Sequence, residues 1–211
     1  MKSPSWKAIV ATTAVAGLGV LAVATAPTQA AASAPERHHA HAALSTAQLA
    51  KLPLTDRDLT KKEIANLAVV LDAYHVAEGD SLDPGGFIDD FTEDGVFTDE
   101  VAGQTYRGQA LGDTLTRMAS IFPDVHRDLK SITVNGDVVS VELAIQGTFE
   151  GPLPTPAGTL EPTGAKIDVP TADFWYTKGG KIKKFDCYVG YTAMYSQMGV
   201  DLDWAGAVDK G

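Results

Sequence analysis

The sequence is short of cysteine, of basic residues and of long apolar runs, and each shortage narrows what the chain can be. Cys187 is the only cysteine in 211 residues, so neither an intrachain disulfide framework nor a multi-cysteine zinc site can form. Stability has to come from a packed core. Lys and Arg number 17 against 27 Asp and Glu, a formal charge of −10. That balance excludes nucleic acid as a partner, because such affinity rests on basic side chains neutralising phosphates. No internal repeat is visible. The numerous acids Asp80, Asp83, Asp89, Asp90, Asp94 and Asp99 lack the regular ligand spacing of a calcium loop and read as caps and turn formers. A 45% hydrophobic and 21% charged composition is still enough to build one ordinary domain.

The one long apolar run lies at the start. Lys2 and Lys7 precede an uncharged stretch from Ala8 to Ala24, and the small residues Thr28 and Ala30 follow where a signal peptidase reads. Residues 1–30 are therefore expected to be a secretory signal. The alternative is a retained anchor, the run being close to the lower limit for a span; its Ala- and Gly-rich character and small-residue end favour cleavage. The expected location is extracellular, with no membrane contact once the signal is removed. Residues 31–59 read as a disordered Ala/His/Pro-rich linker. Its His38, His39 and His41 have no anchored acid or thiol beside them and are left as a solvated tail, with no metal assigned.

The globular domain is expected over 60–200, with 201–211 as a tail. Thr60 and Glu63 have capping-box spacing, and Ile64, Leu67, Ala68, Leu71 and His75 follow at helical spacing up to Gly79. This predicts a helix over 61–78. Asp83-Pro84 opens a short helix carrying Phe87, Ile88 and Phe91 inward, Val96-Phe97-Thr98 is a short strand, and a third helix runs from Gln109 to Phe122 before Pro123. From His126 the period becomes two: Asn135-Gly136 marks a hairpin, and Val139, Val141, Leu143 and Ile145 alternate with polar or small residues. Residues 151–164, rich in Pro and Gly, predict a loop. Strands over 166–177 and 181–190 follow, joined at Lys178-Gly179-Gly180, with Pro170 marking a bulge or edge; a last helix runs from Tyr191 to Met198. Helices first and a long antiparallel meander after them indicate a segregated α+β fold.

Several short motifs add to this. They are Phe122-Pro123-Asp124, the Asn135-Gly136-Asp137 hairpin, Pro162-Thr163-Gly164, Gly180-Lys181-Ile182 and Gln197-Met198-Gly199, together with the first helix and Asp94-Gly95. In this order and spacing they resemble a SnoaL-like domain of the nuclear transport factor 2-like superfamily, over about residues 60–200. The resemblance implies an α+β, cone-shaped barrel, with N-terminal helices packed on a curved antiparallel sheet and a pocket for a small hydrophobic molecule. It implies cofactor-free acid–base chemistry of the isomerase, cyclase or hydratase kind, or a non-catalytic ligand-binding or interaction module. In SnoaL-type polyketide cyclases the acting aspartate lies on the last strand, and alignment on Gly180-Lys181-Ile182 puts Cys187 there. Asp186, one step away, should face the other side.

Asp173, in the aromatic run Ala172-Asp173-Phe174-Trp175-Tyr176, is the candidate catalytic acid or base, since burial would raise its pKa. Its cross-strand partner depends on the final hairpin. A two-residue loop pairs Thr177 with Ile182 and sets Asp173 against Asp186. A three-residue loop with Gly180 as the left-handed residue pairs Thr177 with Lys181 and Asp173 with Phe185, and is favoured because it avoids opposed carboxylates. The expected pocket residues are Tyr74, Phe87, Phe91, Phe149, Thr171, Trp175, Phe185 and Cys187. His75 and His126 are secondary acid–base candidates, and Cys187 reads as a core residue rather than a nucleophile. The outward set Ile182, Lys184, Asp186 and Tyr188 mixes apolar and charged groups, which points to a monomer or weak homodimer.

Overall fold

The computed structural model describes residues 43–200 together with 203, 206, 208 and 209. The chain divides into units of residues 1–36 and 37–211, and everything described belongs to the second. The expected signal segment and residues 31–42 of the expected linker lie outside the described residues, as does most of the expected tail. No helix among the described residues is long and apolar enough to cross a membrane.

The linker expectation is corrected for residues 43–59. Ser45 caps a short helix α1 (Thr46–Leu49) through a capping box. Beyond it, Leu54 forms a parallel bridge with Ile132, held by Thr55 N–H to Ile132 O at 2.9 Å and Ile132 N–H to Pro53 O at 2.9 Å. Leu44, Leu49, Leu52, Leu54 and Leu59 pack on the core. Composition hid this because the leucines follow no single period.

Thr60 caps α2 (Lys61–His75) through the expected capping box with Glu63. Leu67, Val70 and Tyr74 of this helix are buried against the sheet. Asp83 caps α3 (Pro84–Asp90), its Oδ1 accepting from Gly86 N–H at 2.9 Å. Then come β1 (Phe91–Asp99), a strand β2 (Gln104–Tyr106) that the sequence reading did not anticipate, and α4 (Gln109–Ile121). The meander comprises β3 (His126–Asn135), β4 (Val138–Thr148), a small hairpin of β5 (Leu153–Thr155) and β6 (Gly158–Leu160) inside the expected loop, β7 (Lys166–Lys178) and β8 (Lys181–Val189); α5 (Tyr191–Gln197) ends it.

Six strands form one curved sheet in the order β2-β1-β8-β7-β4-β3. All neighbours are antiparallel except β1 and β8, which run parallel. The register between β4 and β7 passes through Ala144↔Pro170 without a bulge. Pro170 is tolerated because its O accepts from Gly190 N–H, which turns its missing N–H toward the side where β8 has already ended.

The last hairpin has the two-residue loop of the first alternative, which corrects the favoured three-residue loop, but Asp173 has the partner expected from neither. Lys178 pairs with Lys181 and Thr177 with Ile182, a two-residue turn in which Gly179 and Gly180 both have positive φ (61° and 79°), as a type I′ turn requires. The next pair is Tyr176↔Lys184, so Lys183 is an extra residue in β8. This bulge shifts the register by one residue, and Asp173 faces neither Phe185 nor Asp186 but Cys187. It also reverses the expected side of Ile182, which is fully buried, while Tyr188 stays exposed.

Candidate functional site

Strand alternation places Trp175 and Asp173 of β7 on one face, two residues apart. Three neighbouring strands continue each level. At the first, Trp175 pairs with Phe185, Phe185 with Phe97, and Phe97 with Tyr106. Trp175 and Phe185 stack at 3.6 Å between ring centres, Phe185 and Phe97 at 4.6 Å, and Tyr106 follows at 5.3 Å from Phe97. The result is an aromatic row across four strands. At the second level Asp173 pairs with Cys187, Cys187 with Asp99, and Asp99 with Gln104. An aromatic row thus lies beside a polar one. Both rows face a cavity of about 610 Å³, roofed by Ala73 and Tyr74 of α2, by Ala77 in the turn after it, and by Leu115 and Met118 of α4.

Two carboxyl groups share this cavity in unlike surroundings. Asp173 is 3% exposed. Its Oδ2 accepts from the Tyr74 hydroxyl at 2.7 Å, and that hydroxyl accepts from Trp175 Nε1–H at 3.0 Å. Its Oδ1 accepts from no N–H or O–H among the described residues. Burial pushes Asp173 up to about 6, against the opposing pull of the Cys187 thiol, the Tyr74 hydroxyl and the charge of Arg127. Asp99, by contrast, has both oxygens engaged: Tyr191 donates its hydroxyl to Oδ2, and Ala102 N–H donates to Oδ1 at 2.9 Å.

The phenols and the thiol stay protonated. Burial and the neighbouring Asp173 raise Tyr74 well above the usual phenol value; burial and Asp99 do the same for Tyr191. Burial, reinforced by Asp173 and Asp99, raises Cys187 well above an ordinary thiol, which leaves it a neutral wall residue between the two acids.

Of the residues expected from sequence, Tyr74, Phe87, Asp173, Trp175, Phe185 and Cys187 line the cavity. Phe91, Phe149 and Thr171 do not, and these three expectations are corrected. Phe91 is buried edge-on against Phe87 at 5.1 Å, Phe149 is buried against Phe122, and Thr171 spends its hydroxyl on Val169 O at 3.1 Å. His75 is exposed beside Ser81, and His126 is an exposed partner of Glu78 at 2.8 Å; neither borders the cavity. Asp186 is buried on the opposite face with Lys184, as strand alternation requires.

The reading missed Phe97, Asp99, Gln104, Tyr106, Arg117, Arg127 and Tyr191, all in the cavity wall. The alternation of Phe97 with Asp99 was a usable signal for the first strand; its pairing with β8 was not. Among the described residues no three His, Cys, Asp or Glu side chains are grouped to hold a metal ion.

Comparison with known proteins agrees with this architecture. The SnoaL-like domain family matches residues 70–185, and the chain belongs to that family. No curated protein matches the sequence. A solved protein of ketosteroid isomerase-like fold from Catenulispora acidiphila, in complex with trimethylamine, is 23% identical, with 64% of this chain and 95% of that one covered and a TM-score of 0.53. A proposed SnoaL-like polyketide cyclase from Jannaschia sp. is 19% identical over 70% of this chain and 100% of its own, with a TM-score of 0.56. A proposed polyketide cyclase from Bacillus cereus is 20% identical over 72% and 96%, with a TM-score of 0.57. At these identities the likeness is one of fold.

Proposed function

We propose that the protein is a secreted, cofactor-free acid–base enzyme acting on a small, flat, largely apolar carbonyl compound. The observation that carries the reading is Oδ1 of Asp173, which accepts from no N–H or O–H among the described residues and belongs to a buried carboxyl group in the cavity wall raised to about 6. A carboxylate of that basicity is matched to proton abstraction near neutral pH. The Tyr74 hydroxyl fixes its other oxygen.

The step is a proton transfer. Asp173 Oδ1 takes a proton from the carbon next to the carbonyl, the C–H electron pair moves into the enolate, and the carbonyl oxygen takes the charge. Return of the proton from Asp173 to the far carbon of a conjugated double bond gives isomerisation; attack of the enolate carbon on a second carbonyl closes a ring and leaves an alkoxide, which takes the proton back from Asp173. The aromatic row offers a flat surface for the ring system, and Asp99 with Tyr191 offers a second polar station across Cys187. Cys187 at the position aligned with the cyclase aspartate favours a second reading, a non-catalytic pocket for the same class of molecule.

Deuterium exchange separates the two. With 1-tetralone in D₂O, the wild type should speed α-proton exchange over buffer, and Asp173→Asn should lose about 10²–10⁴ of that acceleration. An Asn variant as active as wild type would remove Asp173 from the chemistry, and a wild type no faster than buffer would leave the binding reading in front.

A further inference from the structure

Arg127 and Arg117 are the cationic side chains of the cavity wall. They differ in setting. Arg117 is exposed, whereas Arg127, the second residue of β3, has a side chain only 11% exposed. A guanidinium carries five N–H donors in a rigid fork and stays charged at any working pH. In Arg127, Nη1 donates to Ala77 O at 2.6 Å; among the described residues its guanidinium makes no other hydrogen bond.

Glu78 does not fill the gap. Its carboxylate accepts from the Arg127 backbone N–H at 3.1 and 3.3 Å and pairs with His126 Nδ1 at 2.8 Å. It stands 3.9 Å from Nη1, beyond hydrogen-bond reach. Asp99 is held by Tyr191 and Ala102. The rest of the Arg127 fork is open at the cavity wall. Arg127 is only partly buried, so these donors can meet a ligand, and the group that meets them best is a carboxylate, which matches the fork with two parallel bonds.

We propose that the ligand bears a carboxylate and that Arg127 anchors it, while the apolar body of the molecule lies along the aromatic row of Trp175, Phe185, Phe97 and Tyr106. The inference adds the substrate class to the carbon-acid reading and rests on it only for what happens to the ligand once bound.

The test compares 2-naphthoate with 2-naphthamide, a neutral molecule of nearly the same shape, by titration calorimetry at about pH 5, where the aryl carboxylate is ionised. Wild type should bind the acid at least about tenfold more tightly than the amide. Arg127→Met should bring the two affinities together while keeping that for the amide. Arg127→Lys, which keeps the charge and loses the fork, should retain only part of the preference. A wild type that binds the two alike overturns the anchor without any variant, and so covers the case in which Arg127→Met fails to fold. A preference that survives in a folded Arg127→Met also overturns it, and points to Arg117 at the exposed part of the wall. Asp173→Asn keeps the two readings apart: it should retain the preference for naphthoate whatever becomes of proton exchange.

Discussion

Asp173 is favoured as a carboxylate by the Cys187 thiol, the Tyr74 hydroxyl and the charge of Arg127, but its burial outweighs all three, so its charged form is disfavoured relative to the unfolded chain. The sign of the consequence follows from linkage. The native state binds the proton more tightly, so the contribution of this group to stability is fullest below the ordinary carboxyl value of about 3.9. It falls as pH rises toward about 6 and is flat above. A rise of roughly two pKa units corresponds to about 3 kcal/mol. Asp173→Asn removes that dependence. In thermal melts, the wild type should lose roughly 2 kcal/mol relative to the Asn variant between pH ~4 and pH ~8; a wild type that gains on the variant over that range contradicts a buried, raised Asp173. Taking the difference between the two proteins also cancels Asp90, another buried carboxyl raised to about 8 by burial and by nearby Asp72 and Asp89.

At the scale of elements, the site depends on how closely the end of α2 approaches the start of β3. Gly79 N–H donates to Val125 O at 2.8 Å, and a Cβ at Gly79 would stand 2.1 Å from Pro123 O. Both neighbours are backbone, so the segments would have to part. That parting would pull Ala77 and Glu78 away from Arg127. Gly79→Ala should therefore cost stability at the upper end of the roughly 1–3 kcal/mol range for overpacking, read as a lowered Tm. An unchanged Tm would show that the approach is looser than described. The helix α2 and its capping box were legible in the sequence because each is a local signal, but its end was read too late: the expected span of 61–78 is corrected to Lys61–His75, with Val76 as the cap and a turn from there to Gly79. The bulge at Lys183 was not legible: nothing in Gly180-Lys181-Ile182-Lys183 marks one residue as extra, and the matching shift in the β1–β8 register between Phe91↔Ile182 and Val96↔Lys184 is non-local. Phe185 and Cys187 were nevertheless expected on the side of Asp173, and they lie there because the bulge restores the parity of the favoured register. The partner of Asp173 was misread because alternation does not fix the register.

For the molecule as a whole, the fold class and the order of the long elements were legible from periodicity and turn chemistry, whereas the cavity was legible on one side only. Its β7 and β8 wall lies in one hairpin, so local reasoning reached it. The β1 and β2 wall, with Asp99 and the second half of the aromatic row, comes from a parallel pairing between strands some 90 residues apart, which no local pattern announces. The bridge of Leu54 to Ile132 is of the same non-local kind. It makes a prediction about domain limits: a chain beginning at residue 60 should melt below one beginning at residue 43, because it gives up the packing of Leu44, Leu49, Leu52, Leu54 and Leu59. Equal melting temperatures would return residues 43–59 to the linker. The central claim is that the fold keeps one oxygen of a basic carboxylate free inside an apolar cavity. It is tested most directly by carbon-13 NMR titration of the aspartate carboxyl groups, with Asp173 assigned by the signal that Asp173→Asn removes. The expected midpoint is about 6; a midpoint at the ordinary value of about 3.9 would contradict the account.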